Sequence, residues 1–454
     1  MFMRVRPLKI FFSGIAGSGV SAIAVFMADR GNSVSGSDRT FDINPRHPLK
    51  EKFQKKGICI VPQDGSGIDS TVDCAVFSTA VEPDRPEVVK ARLLGTQMKT
   101  RPEFLAEISQ SFSTIAVAGT SGKSTTSGML AFLMKRLGRE PNLIGGGRVK
   151  QFVTSSNPGN TITGNSDYLV IEACESDGTI IHYRPQHTIL LNLALDHHTV
   201  DETSRMFETL MENTSGKIIL NSDDANLGEI AHEHAVTFSV YTPSRYRPDT
   251  VSLKPFSTDF TLRNTKFTLS LPGEYNLYNA LSCIAFLSEI GISHAELAEV
   301  LHEFQGIERR FDVHLNDGNR LVIDDYAHNP HKISSLMKTV KTMKERICYI
   351  FQPHGFGSTR LMKKEYIETF AENLRDSDHL VLLPIYYAGG TAGRDISSAD
   401  LAEGIRFSGR SVEAVAQREE ILEKIHGYEA CIIFGARDET LSDLAKQVAR
   451  ELSG

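Results

Sequence analysis

The sequence predicts an α/β protein of about three domains, built on doubly wound, largely parallel sheets. Three observations carry this: a length of 454 residues, apolar strand-like runs that alternate with helix-like runs, and two glycine turns, each between a strand and a helix.

Bulk properties narrow the class. The formal net charge of −7 argues against a nucleic-acid-binding surface. Cys59, Cys74, Cys174, Cys283, Cys348 and Cys431 are scattered with no C-x-x-C spacing. They read as reduced residues, most of them in apolar surroundings, of a cytoplasmic protein. No apolar run is long enough to span a bilayer. The first twelve residues carry basic side chains, but their apolar part breaks at Ser13-Gly14 and reads as a first strand, with no signal peptide expected. Expected partners are small molecules, with no nucleic acid and no membrane, and the chain a monomer or dimer.

A strand at 8–12 leads into Gly14-Ile15-Ala16-Gly17-Ser18-Gly19 and a helix at 20–29. The next strand, 33–36, ends on Ser37-Asp38, and further strands are expected at 58–61 and 74–78, with a helix at 101–109 closing the segment. The glycines run G-x-x-G-x-G, which differs from the usual dinucleotide pattern. Two readings stand: a diphosphate held at a helix N-terminus, or a tight strand–helix turn that binds nothing.

The strand at 113–118 opens the second domain and runs into Gly119-Thr120-Ser121-Gly122-Lys123-Ser124-Thr125-Thr126. This is a shortened phosphate loop, G-x-x-G-K-S, with Val117 where the longer pattern has its first glycine. Backbone N–H groups and the helix N-terminus would cradle phosphates, Lys123 would reach the terminal ones, and the Ser124 hydroxyl would sit on Mg²⁺. Two later strands, 168–173 and 188–192, end in polar residues: Glu172-Ala-Cys174-Glu175-Ser-Asp177 and Asn192-Leu-Ala-Leu-Asp196-His197-His198. Each alone reads as a solvated loop; together they supply hard oxygen ligands and an imidazole for a divalent cation.

Pro272-Gly273-Glu274-Tyr275-Asn276 begins a helix, and Asn279 falls one turn in, either near the cap or on an adenine edge. Glu308-Arg309-Arg310-Phe311 starts a third αβ pattern with strands expected at 320–324, 347–352, 379–383 and 430–435. Paired arginines usually decorate a surface; before the acidic strand end Asp324-Asp325 a guanidinium would stabilise a transferring phosphoryl group, and the acid would hold a ribose.

In order, GIAGSGVS with GSD, GTSGKSTT, EACESD, NLALDHH, GEYNLYNA, GIERRF, DDYAHNP and FQPHGFGSTR resemble the Mur ligase family across nearly the whole chain. The resemblance implies a Rossmann-like domain for a UDP-sugar at 1–109, a central P-loop ATPase domain with a parallel or mixed sheet at 110–308, and a C-terminal Rossmann-like domain for the incoming amino acid at 309–454. It implies UDP-sugar contacts at Gly14, Gly17, Ser18, Gly19, Ser37 and Asp38. ATP would meet Gly119, Thr120, Gly122, Lys123, Ser124, Thr125, Asn279 (adenine), Arg310 (phosphate) and Asp325 (ribose). Mg²⁺ would meet Ser124, Glu172 and His197; catalysis would rest on Lys123, Glu172, His197 and Arg310; and His328 and Arg360 would face the amino acid.

In the nearest pattern the implied reaction joins L-alanine to UDP-N-acetylmuramate through an acyl phosphate, releasing ADP and phosphate, in peptidoglycan precursor synthesis. Alanine-adding members usually read GTHGKTTT, EADESD, DDYGHHP and FQPHRYSRT. This chain has Ser121 and Ser124, Cys174, Ala327 with Asn329, and Gly355 with Gly357, and Gly435-Ala-Arg437-Asp438 departs from G-A-G-D-I. Two alternatives follow: a diverged ligase adding another amino acid or a peptide, as murein peptide ligases do, or a nucleotide-binding regulatory protein without ligase activity.

Overall fold

Runs of β-branched and small apolar residues form most of the strands, and most of these deliver their carboxyl ends to polar or glycine-rich loops. The computed structural model describes residues 6–196, 198–230, 234–387 and 393–453. It divides into two units: one runs to Leu253 and takes in Ser257–Ile307, the other takes in Lys254–Phe256 and continues from Glu308.

In the first unit, β1 (Lys9–Ser13), β2 (Ser33–Ser37), β3 (Cys59–Ile60), β4 (Cys74–Phe77) and β5 (Gln97–Thr100) form a parallel sheet of order β3-β2-β1-β4-β5. Helices α1 (Ser18–Asp29), α2 (Arg39–Ile43), α3 (Pro48–Lys55), α4 (Pro86–Leu94) and α5 (Arg101–Ser109) connect its strands or follow them. The chain reverses its direction of winding between β1 and β4, and the first glycine turn lies there, at the switch point where open α/β sheets bind ligands.

The central sheet holds β6 (Ser113–Ala118), β7 (Asn142–Ile144), β8 (Thr161–Ile162), β9 (Tyr168–Glu172), β10 (His187–Leu190), β11 (Ile218–Asn221) and β12 (Val236–Phe238), in the order β12-β11-β10-β6-β9-β7-β8. β8 is antiparallel to β7, and the other neighbours run parallel. β6 reads Ser-Thr-Ile-Ala-Val-Ala because both its faces are covered, which favours a continuous apolar run over alternation. Helices α6 (Lys123–Arg136), α7 (Val200–Glu212) and α8 (Ala225–Glu229) follow strands of this sheet. A Thr199–Glu202 capping box starts α7. Phe12 and Phe104 of the amino-terminal segment share one apolar core with Ala118, Leu169 and Leu190 of the central segment.

β5, β7, β8, β11 and β12 were not among the expected strands, and neither was a further sheet. β13 (Thr250–Leu253), β14 (Thr258–Leu262) and β15 (Thr265–Leu269) form a three-stranded antiparallel sheet. Its signal was present: Thr-Asp-Phe-Thr-Leu and Thr-Lys-Phe-Thr-Leu alternate in polarity around Arg263-Asn264, both at positive φ, 47° and 65°. Phe260 and Phe267 stack at 5.0 Å. Helices α9 (Glu274–Glu289) and α10 (His294–Leu301) complete the unit.

The second unit contains β16 (Asp312–Asn316), β17 (Leu321–Asp325), β18 (Ile347–Phe351), β19 (His379–Leu382), β20 (Val412–Ala414) and β21 (Ala430–Phe434), ordered β16-β17-β21-β18-β19-β20. β16 is antiparallel to β17. Its helices are α11 (Pro330–Val340), α12 (Phe356–Leu361), α13 (Lys363–Asn373), α14 (Ser398–Phe407), α15 (Ile421–Lys424) and α16 (Leu441–Ser453). Cys74, Cys283, Cys348 and Cys431 are buried, Cys174 is half-buried and Cys59 is exposed. Among the described residues no helix is long and apolar enough to cross a membrane.

Candidate active site

The phosphate loop leaves β6 at Gly119 (φ 141°) and turns into α6 through Gly122 (φ 87°). A Cβ on Gly122 would lie 2.5 Å from the Asn279 Oδ1, so the close approach of α9 requires glycine here. Asn192, just past β10, clamps the loop. Its Oδ1 accepts from the Thr120 hydroxyl (2.9 Å) and the Ser121 N–H (2.8 Å), and its Nδ2 donates to the Ser121 carbonyl (3.0 Å). The first intrahelical bond of α6 runs from Thr126 N to Gly122 O. The N–H groups of Lys123, Ser124 and Thr125 therefore precede the helical ladder, as an anion site at a helix N-terminus needs.

The acids after β9 meet three different partners. Glu172 accepts from the Ser124 hydroxyl at 3.1 Å and from the Gly146 N–H at 2.5 Å. Glu175, itself buried, lies 2.7 Å from the Lys123 Nζ. Asp177 pairs with Arg101 at 2.9 Å. Burial works against the charge on Lys123, but Glu175 above all, with Cys174 and Glu172, outweighs it and holds the ammonium above its ordinary pKa. Lys123 also donates to the Gly119 carbonyl at 2.5 Å, folding back along its own loop.

The Ser124 hydroxyl and the Glu172 carboxylate are adjacent hard oxygen donors, a set that fits Mg²⁺. His197, the expected third ligand, lies outside the described residues. Among the described residues no cluster of three His, Cys, Asp or Glu side chains forms a metal site.

Asn279 is buried: its Oδ1 accepts from the Thr126 hydroxyl (3.1 Å) and its Nδ2 donates to Asn276 Oδ1 (3.3 Å). It sits directly against the phosphate loop.

At the amino-terminal turn, the N–H groups of Gly14 and Ile15 donate to the Ser37 carbonyl, and Gly14 (φ 78°) passes so close to Ser78 that a Cβ would lie 2.9 Å from its Cβ. Gly17 caps α1, Ser18 begins it, and a Cβ on Gly19 would lie 3.2 Å from the Arg101 Cδ. Arg101 thus connects this turn to Asp177. Asp38 accepts from Ala16 N (2.9 Å) and Thr40 N (2.8 Å), so it holds the turn and caps α2 together. Ser37 is fully buried, with its hydroxyl donating to buried Glu87 at 2.6 Å.

The second unit brings Arg310, Asp325 and His328 to the carboxyl end of β17. The Arg310 guanidinium lies 4.8 Å above the Tyr326 ring. Asp325 accepts from Phe311 N and Ala327 N, both at 2.7 Å; burial pushes its carboxyl above the usual range, and Arg310 partly offsets this. His328 has Nδ1 2.9 Å from the Tyr326 carbonyl and its ring 5.2 Å from His354; burial, with Lys332 and His354 adding to it, holds it well below 6.5, hence neutral. Arg360, exposed on α12, pairs with Asp395 and donates to the Gly393 carbonyl at 2.9 Å. Arg309 differs from its neighbour: it is buried, with bonds to Asp324 and to the carbonyls of Gly435 and Asp438.

Three residues were not singled out from the sequence: Glu175, Asn192 and Arg309. A lysine in a closed loop needs a carboxylate partner, a rule that would have pointed to the acids at and after the end of β9 without choosing among them.

Three family models match the chain in succession: "Mur ligase family, catalytic domain" over residues 9–113, "Mur ligase middle domain" over 117–287 and "Mur ligase, glutamate ligase domain" over 309–448. The chain is 31% identical to a UDP-N-acetylmuramate–L-alanine ligase of Caldicellulosiruptor saccharolyticus, covering 92% of each. It is 30% identical to the enzyme of the same name from Fusobacterium nucleatum, covering 98% of this chain and 97% of that one. Among solved structures, the UDP-N-acetylmuramate-alanine ligase of Thermotoga maritima matches with a TM-score of 0.80 and 27% identity, over 98% of this chain and 99% of that one.

Proposed function

Because the chain belongs to the Mur ligase family, we propose that it acts as the enzymes it matches end to end do, as an ATP-dependent ligase joining L-alanine to UDP-N-acetylmuramate. The observation that carries the reading is a full-length likeness combined with a phosphate loop whose Lys123 and Ser124 each face an acid of the next strand end. We assign the UDP-sugar to 1–109, ATP to 110–308 and the amino acid to 309–454, and place the reaction in the cytoplasm, in peptidoglycan precursor synthesis.

The muramyl carboxylate attacks the γ-phosphorus of ATP, the bond to the β-phosphate oxygen breaks, and ADP leaves an acyl phosphate. Lys123 and the N–H groups opening α6 hold the phosphates, and Arg310 takes up charge on the transferring group. The alanine amine then attacks the acyl carbon; the tetrahedral intermediate loses a proton and expels phosphate, leaving the amide. Ser124, Glu172 and His197 would hold Mg²⁺, which when bound neutralises phosphate charge. Asn279 and Asp325 serve the adenosine, the glycine turn with Asp38 serves the UDP-sugar, and neutral His328 with Arg360 serves the amino acid.

The test is phosphate release from MgATP with UDP-N-acetylmuramate, with and without L-alanine, and the product mass. Alanine-dependent release with a gain of one alanyl residue is the expected result. Release with another amine and none with alanine overturns the substrate assignment and leaves the ligase chemistry standing. Gly355, at φ 69° where alanine-adding members carry arginine, is the position that motivates the wider amine panel.

A further inference from the structure

We propose that Arg309 is a positioning residue that fixes Arg310 for phosphate binding, by locking the backbone on which Arg310 is carried; this rests on the reading of Arg310 as the phosphate-binding arginine. Arg310 stands between two left-handed residues that are not glycine, Arg309 at φ 58° and Phe311 at φ 50°. Such conformations are disfavoured for L-residues and persist only where neighbours over-determine them.

Here the neighbours are consecutive residues at the end of β17. Asp324, fully buried, accepts from the Arg309 Nε at 3.3 Å. Asp325 accepts from the Phe311 N–H at 2.7 Å. Successive residues of a strand point to opposite faces, so the two acids grip the two flanks of Arg310 from different sides. The other guanidinium nitrogens of Arg309 are also committed: Nη1 donates to the Asp438 carbonyl at 2.9 Å and Nη2 to the Gly435 carbonyl at 2.8 Å. The Phe311 ring is packed into the core. Arg310 is only half-buried and keeps its guanidinium over Tyr326.

The two arginines therefore divide the work: one spends its planar fork on fixing the turn, and the other presents its charge. A lysine cannot reproduce this at 309, because one ammonium does not span a carboxylate and two carbonyls in a plane. With the pin gone, the backbone relaxes towards negative φ, and Arg310 and the Phe311 N–H leave their places together.

The experiment is a double-mutant cycle on the full chain, reading the dissociation constant of MgATP by calorimetry and the KM for ATP against those for the other two substrates. Arg309→Met is expected to weaken MgATP about tenfold in the wild-type background and less than about twofold in Arg310→Ala, since the effect passes through Arg310. The KM values for UDP-N-acetylmuramate and alanine should stay within about twofold. Arg309→Lys and Asp324→Asn, closer in volume, serve if Arg309→Met does not fold, and each should repeat the split. An equal loss in both backgrounds overturns the pin and leaves the reading of Arg310 intact. Normal MgATP binding by Arg310→Ala alone overturns the reading of Arg310, and the pin with it.

Discussion

The Lys123 ammonium lies 2.7 Å from the Glu175 carboxylate, and the acid is almost fully buried. The loop lysine is therefore paired with a buried carboxylate. A bound phosphate would share the ammonium with Glu175.

Lys123→Ala should abolish phosphate release. It also leaves Glu175 buried without its partner, so the melting temperature should drop with a loss of about 3 kcal/mol. Adding Glu175→Gln should recover most of the stability and none of the activity. Calorimetric melting and the phosphate assay separate the two roles; recovered turnover in the double variant would remove Lys123 from the chemistry.

Glu172→Gln keeps one acceptor oxygen for the Gly146 N–H, turns the oxygen that meets the Ser124 hydroxyl into an amide donor, and deletes a charge. The fold should persist, and the Mg²⁺ concentration giving half-maximal activity should rise by at least about tenfold. A Mg²⁺ titration at fixed ATP reads this directly. An unchanged midpoint would mean that Glu172 supports the loop alone.

Asn192→Ala removes three bonds from the phosphate loop. Stability should fall by about 1–3 kcal/mol, with a rise in KM for ATP larger than any change for the UDP-sugar. Gly122→Ala tests the same loop through sterics: its new Cβ meets Asn279 at φ 87°, and ATP binding should weaken in step with a stability loss of about 1–3 kcal/mol. Wild-type ATP binding in both variants would show that the loop needs neither support.

His187 on β10 is held down to about 4 by burial, with Lys217 adding to it. Its Nδ1 accepts from the Lys217 N–H at 2.9 Å, which requires a neutral ring. The folded state binds this proton less well than the unfolded chain, whose ordinary value is 6.5. The stability that His187 contributes is thus full above pH 6.5 and is lost as the pH falls towards about 4. Nuclear magnetic resonance should find its ring neutral at pH 5.5; a midpoint near 6.5 would contradict the burial argument.

Much was legible from local signals. The helix at 101–109 and the strand at 113–118 have the expected bounds, because Thr100 and Glu103 form a capping box and because a strand covered on both faces reads as an unbroken apolar run. The turns at Gly14 and Gly122 were readable for the same reason: positive φ selects glycine within a few residues of chain. The antiparallel sheet over β13–β15 went unread although its alternation was in plain view, since the alternating runs are five residues long and their turn lacks the usual glycine.

Sequence alone determined the family resemblance, the alternation of strands and helices over part of the chain, the phosphate loop and the residue types that ATP chemistry calls for, because each of these is encoded in short runs of neighbours. Only the tertiary structure decided which acid meets which cation. Glu172, Glu175 and Asp177 are interchangeable as letters, yet they go separately to Ser124, Lys123 and Arg101. Likewise Arg309 and Arg310 are identical side chains that both lie by the Tyr326 ring, yet one is buried on Asp324 and the other is only half-buried. The choice between such equals is made by burial and distance across strands far apart in the chain, and no local pattern carries that information.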